Sequence, residues 1–157
     1  MASLTKAIAD TYAGIAAGEF PASTRPPAFF TRSPQTTPAG AQQRLPYVVF
    51  SLTSDKTDLT FEDDGIEAST LTVIAYAESR PASAPPQTDG QADANATIAA
   101  VRARFDNTAT LDNFSEGTLL SCLPTRPPEP KQEPHLSKDG YTVFSTRMVW
   151  QIEVQTA

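Results

Sequence analysis

The fourteen prolines of this 157-residue chain fall into three clusters, at 21–46, 81–86 and 124–134. Proline has no amide donor and its ring clashes with the preceding helical turn, so regular structure is confined to the stretches between clusters. Those stretches, roughly 2–20, 47–79, 88–123 and 139–155, show apolar spacing that reads in the order helix, strands, helix, strands. The expected fold is α+β, a mainly antiparallel four- to five-stranded sheet packed on two helices, in one domain over 1–157. Long proline-rich loops are expected at about 19–46, 79–88 and 124–139.

In the first stretch Leu4, Ile8, Tyr12 and Ile15 form one stripe of a helix over 3–17, with Ser3 as its N-cap and Gly18 as its stop. The 19–46 segment has no apolar period but carries an aromatic pair, Phe29 and Phe30, fit to act as an anchor. Residues 47–53 alternate Val48, Phe50 and Leu52 against Tyr47, Val49 and Ser51, the pattern of a half-buried strand. A polar turn at 54–57 and a second strand at 59–62 follow. Asp63-Asp64-Gly65 then turns the chain into a long strand over 66–77, whose apolar residues on both faces suit the centre of a sheet.

Thr88 and Gln91 stand in capping-box register for a helix bearing Ala94, Ile98, Val101 and Phe105. Residues 118–123 form a short apolar strand, and 141–154 the strongest one. Its even positions, Phe144, Met148, Trp150, Ile152 and Val154, oppose Arg147, Gln151, Glu153 and Gln155. Trp150 reads as core, with a binding hot spot as the alternative use of its large area. One face of the sheet is expected on the helices, the other polar or covered by another chain.

Composition removes several function classes. A net charge of -6 and a pI near 4.7 argue against a surface that wraps nucleic acid, which needs several Lys and Arg on one face. DNA that merely passes nearby is compatible. The single cysteine, Cys122, forms no internal disulfide and sits in an apolar run, so it reads as a buried structural thiol rather than a nucleophile. No stretch approaches the ~20 apolar residues of a membrane span. Lys6, Asp10 and Glu19 interrupt any signal-peptide core, and the chain reads as soluble and made in a reducing cytoplasm.

The residues that carry chemistry are few. His135 stands alone in a proline-rich loop, without a second metal ligand or a nucleophile to serve. GxGxxG, Walker, CxxC and HExxH patterns are missing, so no cofactor or metal is expected and an enzyme is disfavoured. Glu62, Asp63 and Asp64, with Glu67 beyond, form a carboxylate cluster better suited to a solvated turn than to a calcium loop. Arg102 and Arg104 suit the negative end of the second helix, with ligand binding as the alternative. Arg25, Arg32 and Arg44 in the first loop are candidates to pair with the acidic turn of an adjacent copy.

The layout as a whole resembles the tail terminator, or tail-completion, proteins of long-tailed bacteriophages. The resemblance rests on the N-terminal helix, the long proline-bearing loop, Leu45-Pro46-Tyr47-Val48-Val49-Phe50, Ile66-Glu67-Ala68-Ser69-Thr70-Leu71-Thr72-Val73, Val101-Arg102-Ala103-Arg104-Phe105 and the 141–154 strand. It implies a virion protein of the tail or neck, assembled in the host cytoplasm. Such a subunit forms a hexameric ring on the last tail-tube ring, stops polymerisation and meets the head-side connector. It implies no catalytic residues, and a lumen through which DNA passes without specific binding. Subunit or tube contacts are then expected at Arg25, Phe29, Phe30, Arg32, Arg44, Glu62, Asp63, Asp64, Arg102 and Arg104. The excursions at 81–89 and 124–134 are longer than the usual pattern. Two other readings stand beside it: another neck protein such as a stopper, and a monomeric binding module that offers PxxP segments to partner domains.

Overall fold

In the computed structural model the described residues are 2–30, 45–59, 65–83, 85–134, 137 and 140–156. The first apolar stripe forms helix α1, Ala2–Ala13, which buries Leu4, Ala7, Ile8 and Tyr12. Because the helix starts at Ala2, Ser3 lies inside its first turn rather than capping it. It also stops early: the Gly14 amide donates to the carbonyls of Asp10 and Thr11, and Gly18 falls in a separate 3₁₀ turn, Ala17–Glu19.

Helix α2, Gly90–Phe105, buries Ala94, Ile98, Val101 and Phe105 as the spacing predicts. Its cap is Asp89, not Thr88. The Asp89 carboxylate accepts the Ala92 amide at 3.1 Å, where a negative group also meets the positive end of the helix. The Thr88 hydroxyl is engaged behind it, accepting the Arg80 amide and donating to the Glu78 carbonyl.

Six strands among the described residues make one sheet, mainly antiparallel as expected but with more strands than the expected four or five. They are β1 (Ala28–Phe30), β2 (Tyr47–Leu59), β3 (Gly65–Ser79), β4 (Gly117–Pro124), β5 (Glu129–Gln132) and β6 (Thr142–Thr156). The order is β1-β2-β3-β6-β4, with β5 also on β6, and only β1 with β2 is parallel. β2 runs straight through the expected turn at 54–57, absorbing it as a bulge between Ser54 and Lys56. The expected strand at 59–62 is thus the end of β2 at Leu59, and its other residues lie outside the described ones.

Two strands sit inside stretches expected to be loops. β1 lies in the 19–46 segment and β5 in the third proline cluster. β5 is possible because an edge strand tolerates proline wherever the missing donor would have faced away from its partner. The amides of Thr125 and Glu133 fasten it at either side, donating to the carbonyls of Val149 and Val143. β4 and β5 therefore lie along the same side of β6 as two pieces of an interrupted edge. This makes β6 a central strand, flanked by β3 on its other side, and not an edge open to a neighbour.

Leu71, Val73 and Ala75 of β3, Val48 and Phe50 of β2, and Met148, Trp150, Ile152 and Val154 of β6 join both helices in one core. Alternate residues point to the opposite face, which divides in two. At one end Tyr47, Val49, Val143 and Val149 are buried there, and the buried Glu133 carboxylate accepts the Ser145 hydroxyl at 2.8 Å. At the other end the same face carries Thr70, Gln151 and Glu153.

Candidate assembly surfaces

The basic residues at the end of α2 are tied within the chain. Asp106, the C-cap of α2, accepts Arg102 Nε on one oxygen at 2.9 Å and the buried Trp150 Nε1 on the other at 2.6 Å. The cap thereby fastens the helix end to β6. Arg104 reaches Thr108 Oγ1 at 2.8 Å and Asp112 at 3.1 Å, ordering the following loop. That loop in turn holds α1: the Asp112 amide donates to Thr11 Oγ1, and Asn113 Nδ2 to Asp10. Lys6 completes the group by bonding Asp10, whose carboxyl is held below the usual carboxylate range by Lys6 first and Asn113 second. Both arginines thus fill the helix-end role.

Arg25, half-buried, donates from Nη1 to the Ile15 carbonyl at 2.7 Å, a bond within the chain. Phe29 and Phe30 lie on β1 with neighbours of their own. Phe29 meets Tyr47 edge to face at 6.2 Å, and Phe30 stacks on Phe50 at 5.4 Å. The aromatic pair anchors its segment to the sheet. Arg32, Arg44, Glu62, Asp63, Asp64 and His135 lie outside the described residues.

Cys122 is fully buried on the core face of β4, and its thiol is pushed up to about 12, by desolvation first and the Asp106 charge second. A thiol so protonated is no nucleophile. Burial also raises Tyr12, whose hydroxyl donates to the Pro26 carbonyl at 2.6 Å, and Tyr76. All three groups hold their protons more tightly folded than unfolded, so the folded state binds more protons once the unfolded groups ionise. Stability from this source is complete below pH ~9, where the unfolded thiol begins to ionise, and falls as pH rises toward 12. Iodoacetamide at pH 8 is expected to leave Cys122 unmodified until urea unfolds the chain. Labelling at the same rate with and without urea would contradict this.

The surface feature that residue patterns did not single out is on β4. Leu120 and Leu123, 45% and 47% exposed, are the large exposed hydrophobics among the described residues. The signal was available: in 119–123 two adjacent apolar pairs, Leu119-Leu120 and Cys122-Leu123, cannot both turn inward on a strand. Cys122 and Leu119 face the core, and the bulge between Leu119 and Ser121 leaves Leu120 outside.

Groups of three or more His, Cys, Asp or Glu able to hold a metal do not occur among the described residues. Among these residues no helix is long and apolar enough to cross a membrane. A scan against protein-family models finds no match, and a search of curated proteins finds none either.

Proposed function

We propose that this chain is a structural subunit of a virion, a ring-forming tail terminator that caps the tail tube and joins it to the head-side connector. The observation that carries the reading is an uncharged sheet-edge strand, β4, which presents Leu120 and Leu123 to solvent in a chain of net charge -6. An exposed apolar edge is a template for pairing with another polypeptide, and stable proteins otherwise blunt such edges. The order of elements, helix then two long strands then helix then strands on one sheet, adds support because it is the layout of the resemblance. A ring needs two different complementary patches on each subunit, and a sheet with two separate edges supplies them. An acidic lumen would repel phosphate and let DNA slide through.

A stopper or other neck protein would use the same surfaces. The binding-module reading relied on proline-rich segments free to adopt an extended ligand form. Of these, Pro130 is engaged in β5 against β6, which favours the ring over the module. Light scattering on the chain, alone and mixed with a tail-tube protein, is expected to show rings or capped tubes. A chain that stays monomeric in both samples overturns the proposal.

A further inference from the structure

We draw no further inference here: the strongest candidate, the apolar strip of Leu120 and Leu123 on the outer strand β4, belongs to the assembly surface already described, and nothing in the structure shows what covers it.

Discussion

Trp150→Ala is expected to lower the free energy of unfolding by about 3–5 kcal/mol, the usual range for removing a fully buried aromatic. The indole is wholly shielded from solvent, its ring lies 6.0 Å from that of Phe105, and its Nε1 donates to Asp106 at 2.6 Å. The substitution therefore opens a cavity under α2 and also unfastens the cap of that helix. Trp150→Phe separates the two losses. It keeps most of the packing and removes only the donor, and because Asp106 retains Arg102 the cost should be about 1–2 kcal/mol. Urea unfolding monitored by circular dichroism measures both. A Trp150→Ala cost below about 1 kcal/mol would show that Trp150 is peripheral to the core.

Gly90→Ala is expected to destabilise the protein by about 1–3 kcal/mol, through overpacking rather than through backbone angles. A Cβ there would stand 2.7 Å from both the Glu78 carbonyl carbon and the Ser79 nitrogen, and 3.0 Å from the Phe144 ring. Two of these neighbours are backbone atoms of β3, which cannot turn aside as a long side chain can. The Gly90 amide also donates to Ser79 Oγ at 2.8 Å, so the start of α2 is fastened where it would have to move. Helix propensity alone predicts the opposite sign, a gain approaching about 1 kcal/mol in an exposed helix interior. A rise in Tm for Gly90→Ala would show that α2 can back away from β3 at little cost.

The face that each long strand buries was legible in the sequence. Val48 and Phe50 against Tyr47 and Val49, and Met148, Trp150 and Ile152 against Arg147 and Gln151, reflect the two-residue period of a strand. The α2 stripe was legible for the same reason at a period of 3.6. What failed were boundaries and short elements. β1 and β5 are three and four residues long, too short for any period to be seen, and their neighbours supply the reason to be strands. β2 continues through the polar residues after Leu52 because β3 offers backbone partners on either side of the bulge at Asp55, and polar side chains do not prevent a ladder.

Of the proposed contact residues, Arg25, Arg102 and Arg104 carry charge that suits an interface, yet each has an intramolecular partner that only the folded chain reveals. Leu120 and Leu123 could have been noticed from adjacency alone. Their exposure depends on β4 being outermost, which is a property of strand order and not of β4.

The sequence by itself determined which residues of α1, α2, β3 and β6 turn inward, and that Cys122 would be shielded. Those are local matters, settled by side-chain period and polarity within a few residues. Only the tertiary structure decided that β6 is central, that a proline-rich stretch becomes β5, and that β4 lies outside β6. Strand order and register are fixed by hydrogen bonds between backbone groups far apart in the chain. Nearly every residue carries the same donor and acceptor, so side-chain identity leaves that choice unspecified until the whole core is packed.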